Sequence, residues 1–326
     1  MVGKPMTRRP RVLYLDQNAW IALAQGSWDG DTYPMEHAAL TRLVRALQAD
    51  RVVVPLSFTN IYETTKINDP IRRMHLARVQ VTLSGGKVLR GRRRILEETL
   101  IQHIAQRTKL PVPVLDDDWF LSDLWFESAA DYTPDAFGFT ISDRSLELFR
   151  QKPAHALFTY LTDSDDAVRL DAVRRYSASS ADLIRKLEAR RSLAAGESFA
   201  VRLRVYSAQL VIDELDFIFR TAKRLGLTWE TVQDIGPPLL KSFVNEVPIL
   251  NVERGLVVRL EDQARTTNEN DLRDVASFAA ALPLVDILVG EKASVNLARQ
   301  ARFGEKYGVV LLTRVSDLTD DLLGKA

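Results

Sequence analysis

The sequence contains no cysteine. Disulfides and thiolate-bound metals are therefore excluded, and the absence agrees with a reducing, cytoplasmic setting. Histidine is scarce: His37, His75, His103 and His155 are scattered, with no close pair to suggest a histidine-ligated zinc site. No run reaches the roughly 18 apolar residues that a membrane span requires, so no membrane partner is expected. The basic start MVGKPMTRRP lacks the apolar stretch of a signal peptide. An excess of one charge is missing too. With 44 Lys+Arg against 43 Asp+Glu the net charge is +1, so any nucleic-acid binding must come from a local patch.

Several catalytic signatures are also absent. No GxGxxG follows the first strand-like run, which argues against a dinucleotide fold. The stretch SGGK lacks the spacing of a phosphate-binding P-loop, and no GxSxG marks a serine hydrolase. A DxDx[TV] phosphatase would need a second aspartate where Asn18 stands.

What is present is an alternation of strand and helix at both ends of the chain. RVLYL reads as a strand and a helix begins near Asn18. MEHAALTRLVRALQAD has a helical period, RVVVPL is a buried-strand run, and Ser57 is a suitable N-cap for FTNIYETTKI. Near the other end, DLRDVASFAAAL reads as a helix capped by Asn270 or Asp271. VDILVG, KASVNLARQARF and GVVLLT then read as strand, helix and strand. Such alternation predicts an α/β fold with a parallel sheet. Helical periods dominate the middle, so residues 1–68 and 268–326 are expected to form one domain and 69–267 a large, mainly helical insertion. Charge is segregated there: Lys66 to Lys109 holds eleven Lys/Arg and three Asp/Glu, whereas Leu110 to Leu148 holds one Arg and nine Asp/Glu.

In parallel α/β sheets ligands bind beyond the carboxyl ends of the strands. Four acidic residues occupy such places. Asp16 ends the first strand, Glu63 lies in the second turn of the helix after VVVPL, Asp274 lies in the first turn of the helix before VDILVG, and Glu291 follows that strand. Asp271 can share a helix face with Asp274. Four clustered carboxylates repel one another, and a hard divalent cation such as Mg2+ or Mn2+ resolves the repulsion. One or two such ions support phosphodiester hydrolysis. Asp286, at the start of a strand, reads as structural or as a residue that supports the ligands without being one of them.

In LYLDQNAWIALA, VPLSFTNIYETTK and NDLRDVASFAAALPLVDILVGEK the chain resembles the PIN domain nucleases. The resemblance matches Asp16, with Asn18 two residues on, then Glu63, Asp274 and a final acidic position filled by Glu291. It implies a small PIN-like parallel-sheet domain and a metal-dependent acidic site that cuts RNA. The chain departs from the family in carrying Glu291 where Asp is usual, which lengthens the ligand arm. It departs also in residues 69–267, far larger than in compact toxin members of toxin–antitoxin pairs. Such an insertion could carry substrate recognition, a protein-partner interface or a lid.

The basic stretch GGKVLRGRRRILEE supplies Lys87, Arg90, Arg92, Arg93 and Arg94 as candidate contacts to an RNA backbone, with Asn18 a further candidate at the acidic site. Alternatively, Arg93 and Arg94 pair with Glu97 and Glu98 on a solvated helix. VQVTLSGGKVLRG could form a hairpin. LDDDWFLSDLWFES reads as a helix start with a buried aromatic face, or else as an acidic-aromatic partner motif or a mimic lying in the basic groove. Asp213, Glu214 and Asp216 read as solvated or ion-paired. The expected function is a metal-dependent endoribonuclease. The alternatives are a non-catalytic PIN-like nucleic-acid-binding or scaffold protein, and a DNA-directed nuclease of defence or repair.

Overall fold

The computed structural model describes residues 9–129, 141–194, 196–263 and 266–324. The basic start up to Arg8 and the acidic positions Asp131 and Asp135 lie outside them. The described strands are β1 (Arg11–Leu15), β2 (Val52–Val53), β3 (Val88–Leu89), β4 (Leu121–Ser122), β5 (Ile287–Val289) and β6 (Val310–Leu312). Helices account for most of the remaining structure, so the fold is mixed α/β.

Strands from the two ends of the chain build one parallel sheet in the order β2-β1-β5-β6. Leu13, Tyr14 and Leu15 stand opposite Ile287, Leu288 and Val289. Successive strand residues face opposite sides. Val12, Tyr14, Leu288 and Leu311 therefore enter one core, and Leu13, Leu15, Ile287 and Val289 the other. Burial on both faces explains why these strands read as unbroken apolar runs.

Residues 69–267 share both cores with the chain ends. On the Tyr14 side the helices Arg92–Thr108, Phe199–Arg224, Pro237–Glu246 and Pro248–Glu261 pack together with Glu269–Ala281. On the Leu15 side, helices Gln17–Trp28, Pro34–Gln48, Pro70–Ser84 and Pro153–Asp163 cover the sheet. Among the described residues no helix is long and apolar enough to cross a membrane.

Three local expectations are corrected. VQVTLS is not a hairpin arm but the end of the Pro70–Ser84 helix, capped by Gly85 at φ 62°, a left-handed conformation that suits glycine. LDDDWFLSDLWFES is not a helix start: it forms turns, β4 and the 3-10 turn Trp125–Ser128, because Ser122 and Leu121 pair antiparallel with Val88 and Leu89. The Glu269–Ala281 helix is capped by Asn268, not by Asn270 or Asp271. The Asp271 carboxylate completes the capping box by accepting from Asn268 N at 2.8 Å.

Asp286 is structural, as expected. At the amino-terminal end of β5 its Oδ2 accepts from Val12 N at 2.8 Å, and Arg9 lies 3.3 Å from its Oδ1.

Candidate active site

Each candidate carboxylate is placed by a local device legible in the chain. Asp16 follows the last residue of β1 and caps the Gln17–Trp28 helix, its Oδ1 accepting from Ala19 N at 2.8 Å. Its own N–H donates to Val289 O at 3.0 Å, so β1 and β5 end side by side. Gly290 then leads to Glu291, which opens the Lys292–Gln300 helix. A Cβ on Gly290 would stand 2.5 Å from the Phe278 ring, so only glycine allows this close approach.

Ser57 and Asn60 form a capping box that starts the Phe58–Lys66 helix. The buried Asn60 amide also donates to Leu15 O at 3.3 Å, fixing that helix to the end of β1 and setting Glu63 one turn further on. Asp274 lies in the second turn of Glu269–Ala281 and accepts from Ser294 Oγ at 2.9 Å. Ser277 donates to Thr59 Oγ1 at 2.7 Å and joins the two helices that carry Asp274 and Glu63.

Asp16, Glu63, Asp274 and Glu291 line one pocket of about 110 Å3, together with Asn18 and Tyr14. The electrostatics follow from burial and crowding. Burial pushes Asp274 up to about 7. The Ser294 hydrogen bond opposes that rise, and the charges of Glu291, Asp16 and Glu63 add to it. Asp16 is pushed up to about 6 for the same first reason, against its bond to Ala19, with Glu291 raising it further. Glu63 is raised by burial, which the charges of Arg273 and Lys66 oppose. Tyr14 is held above the ordinary tyrosine value by burial, against hydrogen bonds to Ser57 and Ser277.

The donor set is all oxygen, the kind that Mg2+ and Mn2+ prefer, and in that respect the residues fit a divalent cation. Among the described residues, however, no group of three or more Asp, Glu, His or Cys is arranged so that it could hold a metal ion. Glu63 faces the Arg273 guanidinium, whose Nε is 3.3 Å from Glu63 Oε1.

The basic block lies apart from this pocket, and each of its candidate cations has a carboxylate partner. Lys87 pairs with Asp123 at 2.9 Å and Arg90 with Glu127 at 3.4 Å. Arg92 reaches both Glu214 and Glu253 at 2.8 Å. Arg93 stands 3.9 Å from Glu214 and stacks over the Phe217 ring, and Arg94 pairs with Glu97 and Glu98. Glu214 is thus buried and ion-paired, while Asp213 and Asp216 are exposed.

Sequence reasoning missed Tyr14, Ser294, Arg273 and a second cavity. Tyr14 could have been found, because residues two apart on a strand share a face and Asp16 is two residues on. The cavity, of about 230 Å3, adjoins the acidic pocket through Asp16, Asn18 and Glu291, and it brings Lys292 and Arg314 beside them. Comparison with protein-family models, with curated proteins and with solved structures gave no match to the chain.

Proposed function

We propose that the chain is a Mg2+- or Mn2+-dependent endoribonuclease with a PIN-like catalytic centre. The observation that carries this reading is the meeting of Asp16, Glu63, Asp274 and Glu291 in one pocket beyond the carboxyl ends of β1 and β5, although they come from widely separated segments. When bound there, Mg2+ or Mn2+ supplies Lewis-acid chemistry for phosphodiester hydrolysis. Asp16, Asp274 and Glu291 would be its ligands, with Glu63 completing the set once released from Arg273. Exposed Asn18 stands at the rim, in reach of a bound strand. Lys292 and Arg314 are placed to meet a phosphate next to the acidic residues.

The test is cleavage of single-stranded RNA in Mn2+ by the wild type and by Asp16→Asn. Loss of cleavage in the variant is expected, and equal activity would remove Asp16 from the mechanism. Competition by single-stranded DNA separates an RNA enzyme from a DNA-directed one. A non-catalytic scaffold is the competing reading, supported by the Arg273–Glu63 ion pair, which compensates acidic charge without any cation. RNA binding without Mn2+ binding in calorimetry would favour it.

A further inference from the structure

Arg273 precedes Asp274 by one residue but is almost wholly inaccessible, at 3% exposure. Both of its terminal nitrogens donate hydrogen bonds, whereas Nε has an ion-pair partner but no hydrogen bond. Nε stands 3.3 Å from Glu63 Oε1, Nη1 donates to Glu269 Oε1 at 2.8 Å, and Nη2 donates to Asn270 Oδ1. The guanidinium carbon is 5.5 Å from the centre of the Tyr62 ring. A buried cation with this many fixed contacts is costly to strip of its partners. Two of these contacts, Glu63 and Asn270, also line the pocket with Asp16, Asp274 and Glu291, and Glu63 is the one that carries a negative charge there.

We propose that Arg273 is the built-in counter-ion of the acidic pocket and that it competes with a divalent cation for Glu63. The proposal rests on the metal-dependent reading above and adds a regulatory residue to it. In the cation-free protein the guanidinium offsets the charge of Glu63 and draws it toward itself. Cation entry transfers Glu63 from Arg273 to the ion. The transfer does not leave a bare buried charge, because Glu269, four residues earlier on the same helix, keeps its bond to Nη1. Arg273 is a positioning residue, acting through Glu63 rather than on substrate.

The test is a double-mutant cycle read by calorimetry with Mn2+, on the full chain without RNA. The proteins are the wild type, Arg273→Gln, Glu63→Gln and the double variant. Freeing Glu63 in Arg273→Gln should tighten Mn2+ binding about tenfold, and that gain should vanish in the Glu63→Gln background. Arg273→Lys, which keeps the charge but loses the forked geometry, should fall between wild type and Arg273→Gln. Equal affinity in wild type and Arg273→Gln would overturn the proposal and leave the metal-dependent reading standing. An equal gain with and without Glu63 would also overturn it, by showing a long-range charge effect. No Mn2+ binding by any of the proteins would overturn both. If Arg273→Gln fails to fold, Glu269→Gln replaces it. Confining the guanidinium to Glu63 should then weaken Mn2+ binding, and unchanged or tighter binding overturns the proposal.

Discussion

Asn60 donates a hydrogen bond to the carbonyl of Leu15 at 3.3 Å, and through it the helix carrying Glu63 is tied to the strand that ends at Asp16. The same side chain accepts from the backbone N–H and the hydroxyl of Ser57, both at 2.9 Å. Replacing Asn60 by Ala would leave buried partners unsatisfied on the strand and at the helix start. The expected loss is about 2–3 kcal/mol of stability, read by urea unfolding. A drop in Mn2+ affinity should accompany it, because Glu63 loses its alignment with Asp16.

The raised carboxylates make the metal-free protein sensitive to pH. Asp16 and Asp274 are pushed up to about 6 and about 7, from an ordinary value of 3.8. Their native forms bind protons more tightly than the unfolded chain does. Their contribution to stability is therefore full below pH 3.8 and is lost as pH rises through about 6 to 7. His103 acts oppositely: burial lowers it, so its contribution is full above its ordinary 6.5 and lost as pH falls through its lowered native value. The site's share is isolated by comparing wild type with Asp16→Asn/Asp274→Asn in EDTA between about pH 5 and pH 8. The melting temperature of wild type should fall relative to the double variant as pH rises. Saturating Mn2+ should abolish that relative fall, since a cation favours the ionised carboxylates.

Arg92 tests what the basic block is for. It joins Glu214 and Glu253, which come from two different helices, and both carboxylates hold it far above the ordinary arginine value. Arg92→Ala leaves two carboxylates facing each other in a mostly buried site and should cost about 3 kcal/mol or more. Arg94→Ala, whose partners lie one turn away on its own helix, should cost under about 1 kcal/mol. Chemical denaturation of the two variants checks the contrast. RNA affinity measured on folded protein then shows whether any of the block contacts substrate.

Asp16, Glu63, Asp274 and Glu291 could be brought together from the sequence because a parallel sheet places the carboxyl ends of its strands along one edge. Any acidic residue just past a strand, or early in the adjoining helix, is directed there. The partners of the basic block were not legible. Glu214 and Glu253 lie far away in the chain, and only the packing of three helices brings them to Arg92. The aromatic-acidic stretch was misread for a related reason. Its local pattern suits a helix, but pairing of β4 with β3 overrides it. Arg273 was hidden for a geometric reason: neighbours on a helix point about 100° apart, so the place of Asp274 says little about the residue before it.

Gly290 offers the most local test of how the site is held. It joins the end of β5 to Glu291, and an added Cβ would lie 2.5 Å from Phe278 Cζ and 3.1 Å from Leu288 Cδ2. Phe278 is 1% exposed and is held between Gly290 and the acidic pocket that it also lines. Gly290→Ala would gain about 0.4–1 kcal/mol from a stiffer unfolded chain. Overpacking should outweigh that gain, at about 1–3 kcal/mol. Net destabilisation is expected, together with a loss of Mn2+ affinity as Glu291 is pushed from the pocket. Shortening the ring in Gly290→Ala/Phe278→Leu removes the clash. It should return part of the metal affinity even though Phe278→Leu alone costs core packing. A Gly290→Ala protein as stable as wild type, with unchanged Mn2+ binding, would show that Glu291 is not held by this contact.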